Sequence, residues 1–218
     1  MELSIAEENY IKALHSLSQK GKVTTNILAK AMQTKASSAT DMVQRLGEKG
    51  LVDYVKYYGV SLSAEGNRAA LKTIRKHRLW EVFLVEKLGF GWDEVHDIAE
   101  QLEHVQSTKL TEKLAQFLGN PLFDPHGDPI PNKEGAFPNQ PVKTLQQCAA
   151  QQKVRVARVK DGNPEFLQYL KKINLKLGET LTVSTIFSFD NSIEVVRADG
   201  STLMLSQTVS EHLYVSEQ

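Results

Sequence analysis

The chain has 218 residues and a formal net charge of zero, and apolar residues make up 41% of it, as in ordinary globular proteins. No apolar run approaches the ~20 residues of a membrane-spanning helix, and the acidic start lacks the apolar segment of an export signal. The one cysteine, Cys148, permits no internal disulfide, so these features favour a cytoplasmic protein over a disulfide-stapled secreted one.

The charges are unevenly distributed along the chain. Residues 1–76 contain twelve Lys or Arg and seven Asp or Glu, whereas the other 142 residues contain fourteen and nineteen. The first part therefore carries a balance of +5 and the remainder a balance of −5. A basic front and an acidic back are typical of a DNA-facing unit joined to a cation-binding one.

The first predicted unit covers residues 1–73. Apolar spacing predicts a helix over Glu7–Leu17, a second helix capped by Thr24 or Thr25, and a third helix that Ser37 caps. Lys49-Gly50 ends the third helix, and two β-rich runs, Leu51–Val55 and Val60–Ser63, then flank a glycine turn. This order of helices and hairpin predicts a winged helix-turn-helix that binds DNA.

The third helix is the expected recognition helix. Short polar side chains in its first turn can reach base edges or phosphates, and its N-terminus favours a phosphate. Residues of the wing are placed to touch the DNA backbone. The candidate DNA-binding residues are Lys35, Ser37, Ser38, Thr40, Asp41, Lys56 and Tyr57. The Ser/Thr cluster would serve equally as a helix cap, so capping alone remains an alternative reading of it.

The second predicted unit covers residues 74–145. A long helix, Ala64–Leu88, crosses into it from the wing, and helices over Asp93–Val105 and Thr108–Leu118 follow. Six of the seven prolines lie from Pro121 to Pro141, which predicts an extended connector. Helices with wide apolar stripes in so small a unit suit a dimer-forming bundle.

Four potential metal ligands lie on the helix predicted over Asp93–Val105. His96, Glu100, Glu103 and His104 are spaced i, i+4, i+7 and i+8, so they fall within roughly 100° of one face. Two imidazoles and two carboxylates are the beginnings of a divalent-metal site. An ordinary solvated face remains an alternative, but the repelling carboxylates have no basic partner on this helix, which favours a bound cation.

Further ligand types occur on either side of this helix. His77 and Glu81 share a face of the long helix because they are four residues apart. In the connector, Asp124 and His126 flank Pro125, which drives the residue before it into an extended conformation. By itself the connector favours a turn with a surface histidine over a ligand pair.

The third predicted unit covers residues 151–218. Strands are predicted over Lys153–Val159, Thr180–Phe187, Ile193–Arg197 and Thr202–Leu205, with a short helix from Pro164 through Leu170. Short strands with one small helix predict a compact SH3-like barrel. The predicted fold class of the whole chain is mainly α with a small β part.

Four sequence segments together resemble a known family. They are His77-Arg78-Leu79-Trp80-Glu81, Val95-His96-Asp97, Glu100-Gln101-Leu102-Glu103-His104, and Asn120-Pro121 leading to Pro125-His126-Gly127-Asp128-Pro129-Ile130-Pro131. Over nearly its whole length the chain resembles the diphtheria toxin repressor and manganese transport regulator family of metal-dependent transcriptional repressors. The resemblance implies a homodimer that binds a palindromic operator when Mn(II) or Fe(II) is loaded, with metal uptake under its control and a FeoA-like barrel at the C-terminus.

The resemblance also implies two metal sites. The first uses Glu100, Glu103 and His104, with His77 near it. On the first helix the family usually supplies Asp or Met where this chain has Asn9, and some relatives have Glu where this chain has Lys12, which cannot ligate while charged. The second site uses Glu81, Asp124, His126 and Asp161, with His96 and Glu165 as further candidates.

The donor types bear on the choice of metal and on the rival functions. Iron-type members have Cys where this chain has Glu100, and a set of oxygen and imidazole donors suits Mn(II), with Fe(II) as the alternative and Zn(II) or Co(II) binding in vitro.

One rival function is that of a winged-helix regulator that does not respond to metal. Another is a metallohydrolase, but Glu100-Gln101-Leu102-Glu103-His104 has Glu where the H-x-x-E-H pattern needs His. We therefore expect no enzyme and no small-molecule substrate.

Overall fold

The computed structural model describes residues 3–55, 58–160 and 163–217. Its first part contains α1 (Ile5–Ser18), α2 (Thr25–Ala31), α3 (Ala36–Glu48) and an antiparallel hairpin of β1 (Val52–Val55) and β2 (Gly59–Leu62). Apolar side chains from all five elements form one buried core, which includes Ile11, Leu28, Val43, Val52 and Val60. This is the predicted winged helix-turn-helix.

The caps of these helices agree only in part with the prediction. Thr24 caps α2 as predicted, by accepting a hydrogen bond from Ile27 N. The prediction that Ser37 caps α3 is wrong, because α3 begins at Ala36 with Lys35 as its N-cap residue. The preceding turn closes early, with Thr34 N donating to Ala29 O, and the Lys35 carbonyl can therefore accept the first helical hydrogen bond, from Ala39 N.

The middle of the chain is helical. The long helix α4 (Ala64–Leu88) is capped by Ser63 and ends at Gly89, whose φ of 74° is the left-handed conformation that favours glycine. It contacts α1, α5 (His96–Leu102) and α6 (Thr108–Phe117). Because α4 runs without a break through residues 73 and 74, the predicted domain boundary there stays a prediction.

Helix α5 is shorter than the predicted span of Asp93–Val105. Before it, the Glu94 carboxylate accepts a hydrogen bond from Gly91 N, and Glu94 N bonds to Gly91 O, so residues 91–94 form a turn. After it, Val105 N bonds to Leu102 O, three residues back, which ends the helical pattern in another turn.

The proline-rich connector crosses the face of α4. Side chains of α4 hold its backbone, since Arg75 donates to Pro131 O at 2.9 Å and Arg78 donates to Pro129 O. Ile130 is buried in a core with Leu79 of α4, and His126 O accepts a hydrogen bond from Val159 N in the C-terminal part. The connector is therefore fixed on both sides, which positions the ligand types that it carries.

The C-terminal part is a six-stranded antiparallel sheet in the order β3-β8-β4-β5-β6-β7 around a buried core. Its elements are β3 (Lys143–Thr144), a 3₁₀ turn (Leu145–Gln147), β4 (Lys153–Val159), α7 (Pro164–Lys172), β5 (Thr180–Ile186), β6 (Ile193–Arg197), β7 (Thr202–Leu205), α8 (Gln207–His212) and β8 (Leu213–Glu217). The predicted fold class is confirmed, although the prediction missed β3, α8 and β8. Among the described residues, no helix is both long and apolar enough to span a membrane.

The close approach of α4 to the wing gives a test of this arrangement. A Cβ added at Gly66 would lie 1.9 Å from Leu51 O, whereas one added at Gly47 in α3 would meet only Val52 O, at 3.8 Å. We expect Gly66→Ala to lower the free energy of unfolding in urea by about 2 kcal/mol through forced backbone displacement. Gly47→Ala is the control, and we expect it to raise stability by up to about 1 kcal/mol. Equal stability of the two variants would contradict this packing of α4.

Candidate metal centre and nucleic-acid interface

Two helices bring the first group of ligand types together. His77 and Glu81 lie one turn apart on α4, while Glu100 lies on α5 and Glu103 follows it. His77 Nδ1 is 2.6 Å from Glu103 Oε2, and His77 Nε2 is 3.1 Å from Glu81 Oε1. The ligand atoms of His77, Glu100 and Glu103 all lie within 4.8 Å of one another. We call these three residues the first cluster.

A lysine of α1 enters the first cluster. Lys12 Nζ lies 2.6 Å from Glu100 Oε1, 2.7 Å from Glu103 Oε2 and 3.4 Å from His77 Nδ1. The charge of this ammonium group offsets the two acidic side chains, which otherwise repel each other. The sequence identified Lys12 only as a side chain unable to ligate, and its contacts depend on the tertiary packing of α1 against α5.

Two buried side-chain oxygens lack donors among the described residues. They are Glu103 Oε1, in the first cluster, and Asn9 Oδ1, three residues before Lys12 on α1. A buried acceptor without a donor is costly, and a cation bound at Glu103 would satisfy its free oxygen. His104 Nε2 lies 3.9 Å from the same Glu103 oxygen. This orphaned Glu103 oxygen, with imidazole and carboxylate nearby, fits a divalent metal ion.

Glu8 is a residue of this region that the sequence analysis missed. Its carboxylate lies 2.6 Å from His104 Nδ1 and also accepts hydrogen bonds from Gln106 and Lys76. Burial would raise the pKa of Glu8, but the hydrogen bonds from His104 and Gln106 and the charge of Lys76 hold it below its usual range. Its only sequence signal is its spacing of four residues from Lys12, which places both on one face of α1.

A second group of ligand types lies on the other side of Glu81. The ligand atoms of Glu81, Asp124 and His126 lie within 4.8 Å of one another, and all three residues are buried. We call them the second cluster. His126 Nε2 lies 2.8 Å from Trp92 O, which leaves Nδ1 facing Glu81 Oε2 at 3.7 Å. The connector thus holds Asp124 and His126 inside the protein. This excludes the alternative that the connector is a turn with a histidine on the surface.

His96 lies between the two clusters. It is half exposed, with Nδ1 3.7 Å from Glu81 Oε1 and Nε2 3.9 Å from Glu100 Oε1. It also forms a group with His77 and Glu81 whose ligand atoms lie within 4.8 Å. Glu165 is exposed on α7 and belongs to none of the groups found among the described residues, and Asp161 lies outside those residues.

Several pKa values in the two clusters are shifted by their neighbours. Burial raises the pKa of Asp124 to about 7, assisted by the charges of Asp128 and Glu81. Burial would lower the pKa of His126, but the hydrogen bond and charge of Glu81 and the charge of Asp124 raise it to about 9. The pKa of Glu81 is held far below its usual range because hydrogen bonds from histidines outweigh its burial. Metal binding at these groups would therefore release protons.

The recognition helix presents most of its predicted contacts to solvent. The N-cap residue Lys35 is exposed, as are Ser37, Ser38 and Asp41 on α3. Thr40 is half buried, and its hydroxyl donates to Ala36 O at 2.9 Å. The predicted contacts Lys56 and Tyr57 lie outside the described residues. Gln44 and Arg45, three and four residues after Asp41, are also exposed on α3.

The raised pKa of His126 gives a pH test on the metal-free chain. The folded-state pKa of His126, about 9, lies above the ordinary value of about 6.5. The contribution of this histidine to the free energy of unfolding is therefore complete below pH 6.5 and is lost as pH rises through 9. We expect the free energy of unfolding, measured in urea with a chelator, to fall by up to about 3 kcal/mol from pH 6.5 to 9.5. The pKa of Asp124 is also raised, so its contribution to the free energy of unfolding likewise falls as pH rises, but at lower pH, up to about 7.

The matched variants are His126→Gln and, in the C-terminal core, Val195→Ala. We expect His126→Gln to flatten the pH dependence between 6.5 and 9.5. Val195→Ala lowers stability by opening a cavity in the buried core, and we expect it to keep the parent's slope. An equally steep slope in His126→Gln would contradict the assignment.

Three family models match the chain in succession. Residues 2–60 match the iron-dependent repressor N-terminal DNA-binding domain, and residues 63–132 match the iron-dependent repressor metal-binding and dimerisation domain. Residues 143–217 match the FeoA domain. These matches follow the same order as the three parts of the fold.

Solved structures and curated proteins give the same result. A manganese-dependent transcriptional repressor in complex with manganese superposes with a TM-score of 0.87 at 38% identity, covering 97% of this chain and 100% of that one. ScaR with bound Zn2+ has a TM-score of 0.79 at 32% identity, covering 97% and 99%.

The iron-dependent repressor IdeR of Mycobacterium leprae is 29% identical over 160 residues, which are 72% of this chain and 67% of that protein. IdeR of Mycobacterium tuberculosis is 31% identical over 131 residues, 60% of this chain and 57% of that protein. The matched regions thus span between about half and two thirds of these curated relatives. On the evidence of the fold, the family models and these relatives, the chain belongs to the iron-dependent repressor family of metal-dependent, DNA-binding transcriptional repressors, which are not enzymes.

Proposed function

We propose that the chain is a repressor that binds a palindromic DNA operator as a homodimer when Mn(II) is loaded, with Fe(II) as the alternative metal. The observation that carries this proposal is that α1 contributes both to the core of the DNA-binding part and to the edge of the first cluster. Ile11 and Leu14 lie in that core, while Lys12 contacts Glu100 and Glu103 at the cluster. An event at the cluster therefore acts on the part that carries the recognition helix.

Two sets of residues would hold the metal. The first set is Asn9, Glu100, Glu103 and His104 beside His77, and the second set is Glu81, Asp124, His126 and Asp161, with His96 between them. When bound, the ion supplies positive charge that attracts carboxylates from several elements at once. Oxygen and imidazole donors without a thiolate suit Mn(II), which supports manganese over iron, and Zn(II) and Co(II) would bind in vitro.

The proposed control of DNA binding is a shift between two arrangements of α1 relative to α4 and α5. A metal favours the DNA-competent arrangement only through its tighter binding to that arrangement. In a dimer this fixes the separation of two α3 helices, and half-sites one helical turn apart, ~34 Å, can then be contacted together.

Exposed apolar side chains support the homodimer. Phe117 on α6 is 66% exposed, Leu122 in the connector is 60% exposed and Leu88 at the end of α4 is 57% exposed. Apolar side chains left in water at neighbouring element ends are typical of a surface that a second subunit covers. The proposed targets are metal-uptake genes, as the family resemblance implies. The proposed location of the protein is the cytoplasm.

The second candidate is a regulator of this family whose DNA binding no longer responds to metal. The observation that favours it is the contact of Lys12 with Glu100 and Glu103, which already offsets their charge without a metal. The two candidates differ in their response to a chelator, because only the proposed repressor loses DNA binding when metal is withdrawn.

The direct test selects DNA duplexes from a random pool with Mn(II) present and then measures binding to them by mobility shift. We expect about 100-fold tighter binding with Mn(II) than with chelator, within the range of allosteric coupling. Glu103→Gln removes a charge from the first cluster and should abolish most of this difference. Glu211→Gln, exposed on α8, is the control and should retain it. Equal binding by the parent with Mn(II) and with chelator would establish the metal-independent candidate instead.

Lys35 allows a separate test of the recognition helix. It is exposed and its side chain makes no capping hydrogen bond, so replacement should leave α3 intact. If Lys35 contacts a phosphate, Lys35→Ala should weaken binding about 10-fold and reduce the slope of log affinity against log salt by about 1. Lys109→Ala, exposed on α6, removes the same charge elsewhere and should change neither value. An unchanged slope in Lys35→Ala would exclude this phosphate contact.

A further inference from the structure

The ammonium group of Lys12 takes a position that a cation would take in the first cluster. Its N–H donors reach two acceptors, Glu100 Oε1 at 2.6 Å and Glu103 Oε2 at 2.7 Å. His77 Nδ1, which is itself 2.6 Å from Glu103 Oε2, lies 3.4 Å from the ammonium nitrogen. The Glu103 side chain is fully buried, whereas that of Lys12 is 20% exposed. The lysine thus brings a positive charge from the protein surface onto a buried carboxylate.

We propose that Lys12 is a tethered competitor of the metal, whose ammonium group must leave the first cluster before Glu100 and Glu103 can bind an ion. The inference rests on the proposed function and adds a determinant of metal affinity to it. A divalent ion on these two carboxylates would lie within a few ångströms of the ammonium group, and like charges at that separation repel strongly. The lysine stem is flexible and already borders solvent, so the group has a short way out.

A second contact of α1 does not compete with an ion. Glu8 lies one turn before Lys12 on the same face of α1, and its carboxylate contacts His104 Nδ1 at 2.6 Å. This contact leaves His104 Nε2, which lies 3.9 Å from Glu103 Oε1, available to an ion. Of these two links from α1 to the region of α5, only the one made by Lys12 occupies ligand atoms that the proposed metal site requires, so metal loading acts on α1 through Lys12.

The main experiment compares Lys12→Met with Lys20→Met in the full chain. Methionine keeps most of the apolar stem without the charge, and Lys20 is an exposed lysine just beyond the end of α1. Calorimetric titration with Mn(II) should give about 10-fold tighter binding for Lys12→Met than for the parent, and parent affinity for Lys20→Met. In chelator, Lys12→Met should unfold at a lower temperature than either, because the buried Glu103 loses its counter-charge.

These two readouts separate competition from a purely structural role. A lysine that only stabilises the fold would lower the unfolding temperature when replaced, without tightening manganese binding. Unchanged or weaker manganese binding by Lys12→Met, while the parent binds manganese, would overturn the proposal and leave the proposed function standing. A parent that binds no manganese would instead overturn the proposed function.

A measurement on the parent chain does not depend on how the variant folds. Acylation of lysines followed by mass spectrometry reports whether an amine is held in an ion pair or free in solvent. We expect labelling of Lys12, relative to Lys20, to rise several-fold when Mn(II) is added. Labelling of Lys12 that is the same with Mn(II) and with chelator would show that the ammonium group stays in the cluster, and would overturn the proposal.

Discussion

The buried carboxylate of Glu103 needs a positive charge beside it, and the arrangement around the site follows from this need. A carboxylate removed from water is costly unless it is paired and hydrogen bonded. In this chain one of its oxygens contacts Lys12 and His77, while the other has no hydrogen-bond partner within the described part of the chain. The half-satisfied carboxylate holds α1 and α4 close to the end of α5, and it also leaves an acceptor free for a further cation.

This arrangement links the chemistry of the site to the DNA-binding part through a single helix. One side of α1 packs into the core beneath the recognition helix, and the other side carries Glu8 and Lys12 to the acidic region. Since a helix moves largely as a rigid element, a change in the partners of Lys12 is transmitted to the buried side of α1. The long helix α4 gives this motion a fixed reference, because it contacts both α1 and α5.

The sequence predicted the features that depend on local spacing. The pair His77 and Glu81 and the pair His96 and Glu100 follow from helical periodicity, and most strands of the C-terminal sheet follow from alternation. Glu103 and His104 lie in the turn that ends α5, beyond the helix that was predicted to carry them. The contacts of Lys12 and Glu8 could not be predicted, because their partners lie 88 and 96 residues away in the chain. Strand β8 was missed for a related reason, since its place between β3 and β4 depends on partners distant in sequence. The prediction that Ser37 caps α3 rested on the capping preference of serine. It was wrong because the preceding turn already closes at Thr34, so that α3 begins before Ser37.

The two oxygens of Glu81 face different neighbours. Oε1 lies near His77 and His96, and Oε2 lies near His126. One side chain has one set of torsion angles, so a rotation that improves the contact of one oxygen also moves the other. Ion uptake at the two clusters is therefore expected to be interdependent, and occupancy should follow a stepwise or cooperative isotherm instead of the sum of two independent ones.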